Sequence, residues 1–67
     1  MAVRLIVQME AKPGKIDELV ERFNVRIADV VKEKGCEQYE LYLSTERPNQ
    51  LVLLERWVNE ESLEDHL

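Results

Sequence analysis

The sequence predicts a small α+β fold in which two helices cover one face of an antiparallel sheet. Two patterns and their order lead to this prediction. In three short segments, apolar side chains alternate with polar ones or run together, as they do in strands. The longest segment between them repeats its apolar residues every three or four positions, as in an amphipathic helix. The predicted order is strand, helix, strand, strand, helix, so the last two strands can pair directly.

The first strand is predicted over Val3–Glu10. Alternate side chains of a strand point to opposite faces of the sheet. Four apolar residues fall on one of these faces: Val3, Leu5, Val7 and Met9. Ile6 lies among polar residues on the other face, so we expect that face to be partly covered as well. Pro13 and Gly14 then predict a turn over Lys12–Lys15.

The first helix is predicted over Ile16–Lys34. Its apolar stripe is formed by Ile16, Leu19, Val20, Phe23, Ile27, Val30 and Val31. Acidic residues near its start, and Lys32 and Lys34 near its end, would complement the helix dipole. Gly35 is expected to end the helix, because glycine readily adopts the left-handed conformation that follows a last helical turn.

The rest of the chain is predicted to form a hairpin and a second helix. Cys36–Ser44 is the second strand, Thr45–Gln50 is a polar loop, and Leu51–Val58 is the third strand. The third strand begins with four consecutive apolar residues, which predicts a central strand covered on both faces. Asn59 is a suitable N-cap, so the second helix is predicted over Glu60–Leu67.

This element order is the ferredoxin-like βαββαβ plan without its last strand. The helices would cover one face of the sheet, and the opposite face would need a different cover. A chain of 67 residues has a small core of its own, and its single cysteine cannot form an internal disulfide. We therefore expect a homodimer that forms through the sheet face.

The charge balance argues against two classes of partner. The chain has 14 acidic and 9 basic residues, a formal net charge of -5. Nucleic acids and anionic membranes both require a basic surface, so we expect neither as a partner. No apolar run approaches the length of a membrane span or of a signal peptide. These features predict a cytoplasmic protein, in which a lone thiol stays reduced.

No general catalytic motif is present, so the candidates for chemistry are single residues. His66 is the only histidine, and imidazole is the natural general base near neutral pH, although a hydrogen-bonded structural histidine fits equally well. Trp57, the only tryptophan, either fills the core or interface or forms the aromatic wall of a ligand pocket. Tyr39 could line the same cavity. Cys36 is interpreted as a small apolar filler.

The third strand also carries a carboxylate. Glu55 is predicted to share the face of Trp57, whereas Arg56 is predicted to lie on the opposite face. A carboxylate in an apolar strand needs a partner or a position at a subunit interface, because an unpaired buried charge is costly. Arg56 or Arg4 is the expected partner, and a structural role is favoured for Glu55.

The segment Leu51–Leu67 resembles the signature of antibiotic biosynthesis monooxygenase (ABM) domains. That signature is an apolar strand, a Glu-x-Trp triplet, an acidic helix start and then a leucine or alanine followed by histidine. Glu55, Trp57 and His66 stand at its positions. Pro13-Gly14-Lys15 before the first helix and Gly35-Cys36 after it are similar too. The resemblance spans residues 1–67, which are interpreted as one ABM-like domain.

The resemblance implies a dimeric α/β barrel, in which two ferredoxin-like sheets pack face to face. It also implies oxygenation of a small hydroquinone or other electron-rich phenol by O₂ without a metal, a flavin or haem. The closest similarity is to small quinol monooxygenase-type proteins. His66 and Trp57 would be catalytic, and Glu55, Arg56 and Tyr39 would bind the substrate or support them.

Departures from the family pattern narrow the range of activities that we expect. Leu53 stands where polyketide-tailoring members carry an asparagine, and Val7 aligns with an asparagine of the haem-degrading members. Haem degradation is therefore disfavoured. Family domains continue for roughly thirty more residues, so we expect the domain to be truncated at its C-terminus. Two alternative functions fit the same residues: a non-catalytic dimeric module that binds an aromatic ligand or responds to stress, and an isomerase or dehydratase.

Overall fold

The computed structural model describes residues 1–67 and has three strands and two helices. These elements are β1 (Val3–Glu10), α1 (Ile16–Val30), β2 (Cys36–Leu43), β3 (Gln50–Trp57) and α2 (Glu60–His66). The predicted order and the ferredoxin-like α+β arrangement are confirmed. Neither helix has the length and hydrophobicity needed to span a lipid bilayer.

The sheet is antiparallel, with the strand order β1-β3-β2. β3 is the central strand, as its apolar sequence predicts, and β1 lies at one edge. Leu53 of β3 is aligned with Val7 of β1 on one side and with Leu41 of β2 on the other. An irregularity in the β2–β3 register lies between Cys36 and Gln38.

The two faces of the sheet differ in their cover. The covered face, on which the helices pack, carries Val3, Leu5, Val7, Met9, Tyr39, Leu41, Leu43, Leu51, Leu53, Glu55 and Trp57. The open face carries Arg4, Ile6, Gln8, Gln38, Glu40, Tyr42, Val52, Leu54 and Arg56. Side chains of β3 on the covered face are buried, whereas those on the open face are half-buried or exposed.

One expectation for β1 is not met in the single chain. Ile6 was expected to be partly covered, but it is 64% exposed on the open face. Val7 lies on the covered face and is still 37% exposed. Ile6 is exposed because both helices lie on the other face of the sheet, and Val7 is partly exposed because the helices pack mainly on β2 and β3 and not on the edge strand.

The core lies between α1, β2 and β3. It is centred on Val30, Tyr39, Leu53 and Trp57, and Trp57 is completely buried. Half-buried residues pack around this centre: Met9, Phe23, Ile27, Cys36, Leu41 and Leu63. Six of the seven residues of the stripe predicted for the first helix are buried or half-buried, but Val31 lies beyond the end of α1 and is 48% exposed.

The prediction that the first helix reaches Lys34 is wrong. α1 ends at Val30, and the backbone N–H groups of Lys32 and Glu33 donate to carbonyls only three residues back, at 3.2 and 2.9 Å. Lys32 and Lys34 therefore lie beyond the last turn and do not complement the helix dipole. The chain needs these residues to turn towards β2, because β2 starts directly after Gly35.

Gly35 holds this turn against α2. Its φ is 85°, a conformation that side chains with a Cβ rarely adopt. A Cβ at this position would also approach Val58 Cγ1 to 2.9 Å and collide with the Ser62 side chain. The carbonyl of Gly35 accepts a hydrogen bond from the backbone N–H of Val58 at 2.8 Å. Gly35 therefore acts as the contact point between the turn and α2 rather than as a helix stop.

Candidate functional site

Two of the predicted site residues lie side by side on the covered face of β3. Glu55 and Trp57 are two residues apart, so their side chains point the same way. The Trp57 Nε1–H donates a hydrogen bond to Glu55 Oε1 at 3.1 Å. Glu55 is only 6% exposed and Trp57 is completely buried. The tryptophan thus supplies the partner that the buried carboxylate requires.

The expectation that Arg56 or Arg4 pairs with Glu55 is wrong. Both arginines lie on the open face, as the strand alternation requires. Arg56 Nε donates to Glu37 Oε1 at 3.0 Å, and Arg4 donates to Gln38. Arg56 is therefore the one predicted site residue that the fold does not bring together with the others.

His66 lies in the last turn of α2 and packs against two aromatic rings. Its ring centroid is 4.6 Å from that of Trp57, with the planes tilted by 32°. The Tyr39 ring meets it edge-on, at 5.5 Å and 66°. The His66 side chain is only 5% exposed. α2 is fixed at its start by Asn59, whose side chain accepts a hydrogen bond from the Ser62 N–H at 2.9 Å, and this confirms the predicted N-cap.

Glu33 is the partner of His66, and sequence reasoning missed it. The His66 Nδ1 atom lies 3.2 Å from Glu33 Oε1 and 3.3 Å from Oε2. Glu33 lies in the turn after α1, in the part of the chain that the sequence assigned to the helix. Gly35, two residues after Glu33, was the signal in the sequence that Glu33 lies in a turn and not in the helix. We call Glu33, Tyr39, Glu55, Trp57 and His66 the His66 cluster.

Arg26 extends this cluster on the α1 side. Its Nε donates to the Tyr39 hydroxyl at 3.3 Å. This hydrogen bond is the main cause of a raised pKa of Arg26, the electrostatic attraction to Tyr39 is the second, and the carboxylates of Glu33 and Glu55 add to the effect. The sequence did carry a signal for Arg26. It lies three positions after Phe23 and four before Val30, the spacing of the stripe that faces the sheet.

Cys36 lies at the edge of the same region. Burial raises the pKa of its thiol, and the negative charges of Glu33 and Glu55 raise it further. A thiol in this environment stays protonated at neutral pH and is a poor nucleophile. Its half-buried position beside the core agrees with the interpretation of Cys36 as a filler.

The His66 cluster is filled by its own side chains. None of the four main depressions on the surface is lined by Trp57 or His66. A polar depression of about 300 Å³ adjoins Glu33 and is lined also by Lys34, Asn59, Glu61, Ser62 and Asp65. No three histidine, cysteine, aspartate or glutamate side chains converge in a way that could hold a metal ion.

The antibiotic biosynthesis monooxygenase family matches residues 2–67 of the chain. Because this match covers nearly the whole sequence, the chain belongs to that family. Comparison with curated proteins gives no match.

Solved structures agree with this assignment. A conserved protein from Methanosarcina mazei Go1 is 35% identical, with a TM-score of 0.92 over 97% of the chain. A protein of unknown function from Bacteroides thetaiotaomicron, described as a possible oxidoreductase, is 28% identical, with a TM-score of 0.91 over 97% of the chain and 69% of its own length. A candidate antibiotic biosynthesis monooxygenase from Chloroflexus aurantiacus is 25% identical, with a TM-score of 0.79 over 96% of the chain and 62% of its own length.

The chain is shorter than these relatives. It spans 64% of the Methanosarcina protein, slightly less than two thirds of its length. The shared part contains all three strands and both helices of the fold.

Proposed function

We propose that this chain is a monooxygenase that oxidises a small hydroquinone or other electron-rich phenol with O₂ and needs no metal, flavin or haem. The observation that supports this proposal is the enclosure of His66. A single imidazole, with 5% of its side chain exposed, is packed against the rings of Trp57 and Tyr39 near a buried carboxylate. A base surrounded by aromatic rings suits deprotonation of an aromatic hydroxyl.

In the proposed reaction, His66 accepts the proton of the phenol hydroxyl. The phenolate then gives one electron to O₂, and the resulting phenoxyl and superoxide radicals combine at a ring carbon that carries hydrogen. The peroxide anion formed there takes the proton back from the His66 imidazolium, and the resulting hydroperoxide loses water and leaves a quinone. One phenol and one O₂ thus give one quinone and one water, and the oxidising equivalents come from O₂. The substrate supplies the electrons, while the protein supplies the base and a site that excludes water.

Trp57 and Glu55 have linked roles in this proposal. Because the Trp57 N–H already donates to Glu55 and the side chain is completely buried, Trp57 would act through the aromatic surface that it packs against His66 and not through a contact of its own with the substrate. Glu55 then fixes the orientation of the tryptophan ring. Tyr39, held by Arg26, would form the second aromatic surface. A substrate would enter beside Glu33, where the depression of about 300 Å³ adjoins the cluster.

The proposed assembly is a cytoplasmic homodimer that packs through the open face. Ile6 is 64% exposed and Tyr42 is 49% exposed on this face. Burying apolar surface is favourable by roughly 25 cal/mol per Å², so a second copy of the same sheet would stabilise the chain. Arg56 would then lie at the subunit interface, where it supports the dimer and does not contact the substrate.

Aerobic turnover of hydroquinone, methylhydroquinone and catechol tests the proposal. We expect the purified protein to form quinone and consume O₂ faster than autoxidation does. His66→Ala should lower the rate by about 100- to 10,000-fold, the contribution of a positioned general base. Trp57→Phe should also lower it, and Val25→Ala, at a position that is 69% exposed on α1, should not.

A wild-type rate equal to autoxidation would contradict the proposal. The two alternatives have their own signatures. A non-catalytic module would show ligand-dependent quenching of Trp57 fluorescence without product. An isomerase or dehydratase would form product under strict anaerobiosis.

A further inference from the structure

The contact between Glu33 and His66 determines which nitrogen of the histidine ring carries a proton. Both Glu33 carboxylate oxygens lie within hydrogen-bonding distance of Nδ1, at 3.2 and 3.3 Å. An ionised carboxylate can only accept hydrogen bonds, so the proton between the two residues belongs to Nδ1. In the neutral ring the other nitrogen, Nε2, is then unprotonated and can accept a proton.

The surroundings of the ring leave Nε2 available. No protein group hydrogen-bonds to Nε2, and no fully buried side-chain nitrogen or oxygen in the chain lacks a partner. Nε2 therefore keeps contact with solvent although the side chain as a whole is nearly buried. The ring itself is held in place by Trp57 and Tyr39, whose centroids lie at 4.6 and 5.5 Å.

We infer that Glu33 is a positioning residue for His66. Its carboxylate holds the proton on Nδ1 and the ring in one orientation, so that Nε2 is the atom that accepts the substrate proton. A carboxylate that orients a histidine base in this way also stabilises the imidazolium that forms when the base takes a proton. This inference rests on the proposed function for the role of His66 as base, but the tautomer itself does not depend on any activity.

The position of Glu33 in the fold supports a role beyond ion pairing at the surface. Its side chain is 40% exposed, so it remains hydrated on one side while it contacts a nearly buried ring on the other. The turn that carries it is fixed by Gly35, which contacts Ser62 of α2. The carboxylate and the histidine are therefore held by elements that pack against each other directly.

The tautomer can be measured by heteronuclear NMR of the isotopically labelled protein, since His66 is the only histidine. At a pH where the ring is neutral, we expect the wild type to carry its proton on Nδ1. Glu33→Gln should shift the population towards the Nε2–H form, which neutral histidine prefers without a partner, and Glu33→Asp should keep part of the Nδ1–H form. Glu64→Gln removes an equal charge near His66 without touching its ring and should leave the tautomer unchanged.

Turnover of methylhydroquinone under air supplies the second measurement. Glu33→Gln should lower kcat by about 10- to 100-fold, a part of the base contribution, with little change of KM. Glu33→Asp should recover part of the loss, and circular dichroism would show that the variants are folded. A wild-type ring protonated on Nε2, a tautomer unchanged in Glu33→Gln, or unchanged kcat in that variant would each overturn the inference. If the wild type shows no turnover at all, the proposed function fails, while the tautomer measurement still decides whether Glu33 positions the ring.

Discussion

The covered and open faces of the sheet are built from the same strands but differ in what their polar groups do. On the covered face, Glu55 is buried and bonds to the indole of Trp57. On the open face, Glu40 is exposed and accepts hydrogen bonds from Tyr42, at 3.2 Å, and from Gln38. A carboxylate is therefore part of a fixed packing arrangement on one face and part of a hydrated surface network on the other.

Two raised pKa values show the same contrast. Burial is the main cause for the Cys36 thiol, which lies beside the core. For Tyr42, the main cause is the hydrogen bond to Glu40, followed by the charge of that carboxylate. Loss of hydration is thus the first cause of the raised pKa at Cys36, whereas a hydrogen bond to a carboxylate is the first cause at Tyr42.

The largest loss of stability is expected from truncating Trp57, which lies at the centre of the core on the covered face. Trp57→Ala should lower the free energy of unfolding by about 3–5 kcal/mol, the usual cost of deleting a buried large aromatic side chain. Small domains are stable by only about 5–15 kcal/mol, so this variant should be close to unfolded. Urea denaturation measures the change. Val25→Ala is the control, and an equal loss in both variants would contradict the core role of Trp57.

Gly35, in the turn between α1 and β2, is expected to be the next most sensitive position. Gly35→Ala should cost about 2–4 kcal/mol, because a residue with a Cβ is strained at positive φ and also collides with α2. Gly14 has a similar φ of 78°, but a Cβ added there would meet no atom within 4 Å, so Gly14→Ala isolates the backbone cost of about 1–2 kcal/mol. Thermal or urea unfolding would compare them. Equal losses would show that the contact with Ser62 has no energetic importance.

A double-mutant cycle tests the hydrogen bond inside the covered face. The cycle combines Glu55→Ala with Trp57→Phe, which removes the indole N–H but keeps an aromatic ring. We expect a coupling free energy of about 1–3 kcal/mol, as for hydrogen bonds to a charged group. The coupling free energy is obtained from urea unfolding of the wild type, the two single variants and the double variant. Additive losses would mean that the contact between Glu55 and Trp57 does not stabilise the fold.

Substitutions on the open face should weaken dimer formation and leave the stability of the monomer nearly unchanged. Ile6→Glu places a charge on the edge strand of this face and should raise the Kd of the proposed dimer at least about tenfold, a change of about 1.4 kcal/mol. The same change should alter the unfolding free energy of the monomer by no more than about 0.5 kcal/mol, because Ile6 is exposed there. Sedimentation equilibrium measures the dimer Kd. Val25→Glu, on the exposed side of α1, should leave the Kd unchanged.

The smallest effect concerns the titration of Tyr42. Glu40→Gln removes the carboxylate that disfavours the tyrosinate, so the pKa of Tyr42 should fall towards its ordinary value. NMR titration of the ring resonances follows this change. The pKa of the Cys36 thiol should stay raised in the same variant, since burial is its main cause. A parallel fall of both pKa values would contradict the distinction between the two faces.

Sequence periodicity was sufficient to predict the elements, the central position of β3 and the sharing of one face by Glu55 and Trp57. These features depend on local patterns: alternation fixes the faces of a strand, and the spacing of three and four fixes the buried side of a helix. The family resemblance also followed from the sequence, because Glu55, Trp57 and His66 form a pattern of fixed spacing near the end of the chain.

The partners of these residues could be found only in the tertiary structure. Glu33 and His66 are far apart in the sequence, and they meet because α1 ends at Val30 and the turn after it packs on α2. Arg56 follows Glu55 directly, and the same alternation that pairs Glu55 with Trp57 turns Arg56 away. The sequence by itself determined which side chains share a strand face or a helix stripe, since those relations are local. The tertiary packing decided which charges meet and which face remains open, because these depend on where distant segments come together.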